Sequence, residues 1–120
     1  HAPPPAELYV EGGAKALAQP EFSDPDKLRE LLRVLDDKTA LLNLLEQTLK
    51  SGKLVVSIGS EIADVRLNAF SVIAAAYASG PMPLGSLAVV GPVRMDYGRV
   101  IPLVDYTARA LSRVLEHSGA

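Results

Sequence analysis

The sequence predicts an α+β fold in which an antiparallel sheet is covered by packed helices, and three observations carry that reading. Two leucine stripes with helical spacing occupy the first half, a strand and a β-hairpin pattern occupy the middle, and a long amphipathic stretch closes the chain.

A length of 120 residues suits one domain with a modest core. Apolar residues make up 48% of the chain and aromatics only 5%, so Leu, Val, Ile and Ala are expected to build that core. A net charge of −2 with interspersed signs gives no electrostatic footprint for DNA or RNA, and few aromatics means few stacking platforms for single strands. The absence of cysteine excludes disulfides and Cys-ligated zinc, and fits a reducing compartment. No apolar run reaches the ~18 residues of a membrane span, and the beginning lacks the order of a signal peptide. The chain reads as cytoplasmic, with no membrane partner.

Residues 1–7, with three successive prolines and no initiator Met, read as a tag remnant or the disordered start of an excised domain, and the domain proper is expected over 8–117. Leu8-Tyr9-Val10 is a short strand candidate ending at Gly12-Gly13, and residues 14–17 allow one helical turn before Gln19-Pro20. Ser23-Asp24-Pro25-Asp26 then signals a helix start, with a capping side chain, proline in the first turn and acid facing the dipole. Leu28, Leu31, Leu32 and Leu35 form one stripe, and Leu41, Leu42, Leu45 and Leu49 a second that ends at Ser51-Gly52. Lys38 interrupts the heptad seam between them, which favours two helices parted near Asp36-Asp37 over one long helix.

Residues 54–58 read as a strand with Leu54, Val56 and Ile58 on one face. Residues 59–68 read as a polar connection that allows a short turn, and the nearly unbroken apolar run 70–77 as a central strand covered on both faces. A loop of about five residues, Ser79-Gly80-Pro81-Met82-Pro83, should return the chain into an antiparallel partner over 84–90. The closing helix carries Tyr97, Val100, Ile101, Val104, Ala108, Leu111 and Leu115 at steps of three and four, a stripe expected to lie against the sheet. Pro102 falls inside it and predicts a bent helix from about Asp96.

Chemistry-bearing patterns are sparse. The only histidines, His1 and His117, sit near the two ends, and Asp36-Asp37 are neighbours that cannot face each other across a helix. Gly12-Gly13 and Gly80 lack the spacing of a phosphate loop. No catalytic residue, cofactor site or metal site is therefore predicted. One corner stands out, in which Asp96 is placed to cap the closing helix while Arg94 and Tyr97 flank its start. It reads either as a capped helix start with packing neighbours or as a ligand site.

The stretch Gly91-Pro92-Val93-Arg94-Met95-Asp96-Tyr97-Gly98-Arg99-Val100-Ile101-Pro102-Leu103-Val104-Asp105-Tyr106 resembles the C-terminal signature of the HrcA family of bacterial heat-inducible transcription repressors. Gln19-Pro20-Glu21-Phe22 after Gly12-Gly13, the helix opening at Asp26-Lys27-Leu28, and Pro83-Leu84-Gly85-Ser86-Leu87 are similar to the family pattern as well. The pattern departs between Ser60 and Asn68. The resemblance implies part of a GAF-like dimerisation and regulatory domain, whose winged-helix DNA-binding domain lies outside this chain. It further implies repression of chaperone operons through an inverted-repeat operator, and tuning by the chaperonin GroEL.

An inverted repeat calls for a two-fold protein, so the role implied for this region is a homodimer's geometry, without chemistry. Two leucine stripes exceed what a small sheet needs on one face, which makes Leu28, Leu31, Leu35, Leu42 and Leu45 the candidate dimer interface. The alternative is a small-molecule-sensing GAF-like pocket between residues 70–77 and the helices, weakened by an apolar lining without convergent polar groups.

Overall fold

The computed structural model describes residues 24–52, 54–62 and 64–117. The expectations for residues 1–7, for a strand at 8–10 and for a turn at 14–17 lie outside them. Helices α1 (Pro25–Asp36) and α2 (Lys38–Ser51) lead into strand β1 (Val55–Ile58). Two single 3₁₀ turns, Gly59–Glu61 and Val65–Leu67, connect it to β2 (Phe70–Ser79), which is followed by β3 (Met82–Pro92) and helix α3 (Tyr97–His117). The strands form one antiparallel sheet in the order β1-β2-β3, and the α+β class read from the sequence holds.

Local chemistry fixes the helix boundaries. Asp24 caps α1, its carboxylate accepting from the Asp26 amide at 3.0 Å, and Pro25 opens the first turn. Asp37 ends α1 and caps α2, accepting from the Ala40 amide at 3.0 Å, so the leucine-rich segment is two helices. Gly52 closes α2 at a φ of 65°, where its amide donates to the Thr48 carbonyl.

Side-chain alternation along β2 divides the core. Phe70, Val72 and Ala74 face Leu31, Val34 and Leu41 of α1 and α2. Ile73, Ala75 and Tyr77 face Val104 and Ala108 of α3 on the opposite side. The sheet is therefore the middle of three layers, and the central strand is covered on both faces as its apolar run implies.

Four expectations need correction. The hairpin loop is two residues, Gly80-Pro81, because Ser79 already pairs with Met82, and a positive φ of 56° at Gly80 lets the chain reverse there. β3 consequently begins two residues earlier than predicted and runs two residues further, to Pro92. Residues 59–68 are not simply a polar connection, since Ile62 and Leu67 are buried in the α1/α2-side core. Leu111 is more exposed than a core residue, because the last turns of α3 meet the hairpin through polar links. There Ser112 Oγ accepts from the Ala78 amide at 3.0 Å and Glu116 Oε1 from the Gly80 amide at 3.2 Å. Pro102 lies inside α3 on its exposed side, with the helix starting one residue after the predicted Asp96.

Candidate functional site

The Arg94–Tyr97 corner joins the end of β3 to α3. The Met95 amide donates to the Val93 carbonyl at 3.2 Å and the Tyr97 amide to the Met95 carbonyl at 2.9 Å, while the Tyr97 hydroxyl donates back to the Val93 carbonyl. The Asp96 carbonyl accepts from the Arg99 and Val100 amides at 3.1 and 2.9 Å, which places Asp96 at the cap position. Tyr97 and Met95 pack toward the α3-side core. Met95 lies over Gly91, where a β-carbon would collide with its terminal methyl. Arg94 and Asp96 point into solvent and enter no ion pair among the described residues. The corner thus brings together a half-buried ring and two exposed charges at a helix start.

The five leucines of the candidate dimer interface divide between two environments. Leu31 is 2% exposed inside the α1/α2-side core, and Leu28 and Leu35 pack against that cluster. Leu42 and Leu45 are half-buried, and the Leu45 carbonyl accepts from Ser86 Oγ of β3 at 3.0 Å. Three of the five are thus used in covering the sheet.

Between the sheet and the helices, where the alternative reading places a sensing pocket, Phe70, Val72, Ile73, Ala74 and Ala75 are buried against helix side chains. Among the described residues, clefts lie on the flank instead, on either side of the exposed Val65. One, of about 590 Å³, is bordered by Ala40, Asn43, Glu46, Gln47 and Lys50 of α2 and by Asp64. The other, of about 400 Å³, lies between α1 and residues 66–70.

Two features are absent from the sites read from the sequence. The first is a cluster in which Arg66 Nη2 donates to Asp64 Oδ2 at 2.6 Å and to Asp37 Oδ2 at 3.1 Å, while Nε donates to Asp64 Oδ1 at 3.0 Å. It ties the α1/α2 junction to the β1–β2 connection. The Ala40 amide and then Arg66 hold the Asp37 carboxyl below its ordinary value, and the hydrogen bond from Arg66 does the same for Asp64. The two carboxylates, Asp64 foremost, push Arg66 further up.

The second is an outward stripe on α3. Leu103, Tyr106 and Val114 are 59%, 64% and 64% exposed, and with Ala110 they repeat at steps of three, four and four. At 3.6 residues per turn this line runs about a third of a turn from the buried Val104 and Ala108, so the helix carries two apolar faces. Only one of them meets the sheet. The second was readable from the same spacing rule, but the core stripe already accounted for an amphipathic helix.

A family model described as "HrcA protein C terminal domain" matches residues 2–101. The chain belongs to the HrcA family. Relatives named "Heat-inducible transcription repressor HrcA" agree with the HrcA match. That of Geobacter sulfurreducens is 40% identical over 111 residues, covering 92% of this chain and 32% of the relative. That of Syntrophobacter fumaroxidans is 40% identical over 115 residues, covering 95% and 33%. That of an Anaeromyxobacter species is 46% identical over 108 residues, covering 90% and 31%. The chain thus spans about a third of the length of these HrcA proteins. A crystal structure described as a hypothetical protein at 2.2 Å resolution shares the fold, with a TM-score of 0.76 at 24% identity over 94% of this chain and 33% of that one.

Proposed function

We propose that this HrcA segment is the dimerisation and regulatory part of a cytoplasmic repressor of heat-shock chaperone genes. DNA is read elsewhere in the polypeptide, by a winged-helix domain on an inverted-repeat operator, and this segment fixes the distance between the two readers. GroEL tunes the repressor through the same protein, and no catalysis is assigned to the segment. The observation that carries the reading is the 40% to 46% identity to relatives named as heat-inducible transcription repressors. A net charge of −2 with acidic and basic residues interspersed agrees with a role apart from DNA contact.

The test uses the full-length polypeptide that contains this segment. Its binding to an inverted-repeat operator upstream of a chaperone operon is compared with that of a version ending before the segment. The full-length protein is expected to protect both half-sites cooperatively, and the shortened one to bind half-sites singly and more weakly. Equal, cooperative binding by both would overturn the reading.

A further inference from the structure

We infer that the outer edge of β3 receives a further β-strand, supplied by the part of the HrcA polypeptide that lies outside these 120 residues. That strand joins this segment to the rest of its polypeptide, whether or not the protein dimerises. In the order β1-β2-β3 the last strand is an edge, and it is long: eleven residues, against four in β1 at the other edge. No strand among the described residues pairs with its outer side. One side of β3 bonds to β2, so every second residue turns its amide and carbonyl outward.

Long edges are ordinarily protected by charge, by proline or by a covering element. Among the described residues, the central part of β3 has none of these. Leu84-Gly85-Ser86-Leu87-Ala88-Val89-Val90-Gly91 is free of charge, and Pro83 and Pro92 stand at its two ends. Ala88 and Val89 point to opposite faces of the sheet and both are exposed, whereas their β2 partners Ala74 and Ile73 are buried. The helical layers thus cover β2 here and leave β3 open on both faces. The opposite edge is closed off differently: past the end of β1, the Ala78 amide donates to Ser112 Oγ of α3.

A row of free amides and carbonyls is matched by another extended main chain. Openness on both faces sets the side chains of that strand, which are apolar on either side where they flank Ala88 and Val89. Leu8-Tyr9-Val10 has three apolar residues, too few for the edge from Leu84 to Gly91. This chain spans 31% to 33% of the HrcA relatives, so most of the polypeptide is left to supply the strand.

Residue-resolved hydrogen exchange on the full-length polypeptide tests the assignment. With the strand in place, the successive amides from Ser86 to Val90 are all protected. On a bare edge only those bonded to β2 are protected, and the amides between them exchange about tenfold or more faster. Fast and slow amides in alternation over this stretch would therefore overturn the inference. A photo-cross-linking residue in place of Ala88, in protein refolded from an equal mixture of isotopically light and heavy chains, identifies the source of the strand. The expected product joins position 88 to a peptide from outside this segment, light to light and heavy to heavy. Products confined to this segment, or joining light to heavy, would overturn the inference and give the edge to another strand of the segment or to a second chain. Neither outcome bears on operator binding, so the repressor reading is judged separately.

Discussion

Gly85 pairs with Tyr77 across the β2–β3 ladder, and the phenol ring occupies the space that a side chain at Gly85 would need. Tyr77 packs in the α3-side core, so the ring has to swing away if a methyl group is added. Gly85→Ala is therefore expected to cost about 1–3 kcal/mol in urea unfolding, the range for overpacking. Gly91→Ala serves as the comparison, because there a β-carbon meets only the terminal methyl and sulfur of Met95. A flexible thioether has other rotamers to take, so that substitution should cost less than about 1 kcal/mol. Equal costs would mean that Tyr77 does not lie over Gly85. This contact could not be read from the sequence, since it depends on the register of two strands and no property of Leu84-Gly85-Ser86 alone reveals the ring opposite.

The parts of the secondary structure that were legible are those whose causes are local. Asp24-Pro25, Asp37 and Gly52 set the limits of α1 and α2 through hydrogen bonds that reach at most four residues, and the sequence displays such patterns directly. The burial within residues 59–68 is not legible, for the opposite reason. Ile62 and Leu67 are single apolar residues in short turns, buried by where the chain passes, and they produce no period of two or 3.6. The hairpin shows both sides of the rule: the strands were legible, but the loop length was hidden because Met82 and Pro83 read as turn residues. Its irregularity at Tyr77/Ala78 also explains a link between elements. Where the register shifts, the Ala78 amide donates to Ser112 Oγ of α3, and Ser112 in turn donates to the Ala108 carbonyl at 3.0 Å. Ser112→Ala strands that amide and is expected to cost about 1–2 kcal/mol. Hydrogen exchange at Ala78 should accelerate beyond what the change in global stability explains, and an unchanged exchange rate there would refute the link.

Across the whole molecule, the two helical layers meet different faces of one three-stranded sheet, so the attachment of the α1/α2 pair depends on its own face and on the cluster at Arg66. That cluster joins residues 37, 64 and 66, and its longest link spans 29 positions, which is why Asp37 was legible as a cap but not as an ion-pair partner. Arg66 contributes through two carboxylates whose folded-state pKa values both lie below the ordinary 3.8. Between those values and 3.8 the unfolded chain binds more protons than the folded one, so stability falls as pH falls. The contribution is fully present above the unfolded value and is lost as the pH drops through the folded values. Removing the guanidinium removes the main cause of the Asp64 depression and a secondary cause of that at Asp37, where the Ala40 amide remains. Arg66→Ala should therefore lower the melting temperature at pH 7, and the gap to the parent chain should narrow as the pH is taken below about 4. High salt should shrink the gap only partly, because Arg66 is about one third exposed and its bonds to Asp64 are direct and charge-assisted. A gap that stays constant from pH 7 down to pH 2 would show that Arg66 stabilises the junction by packing alone, with the two aspartates as bystanders.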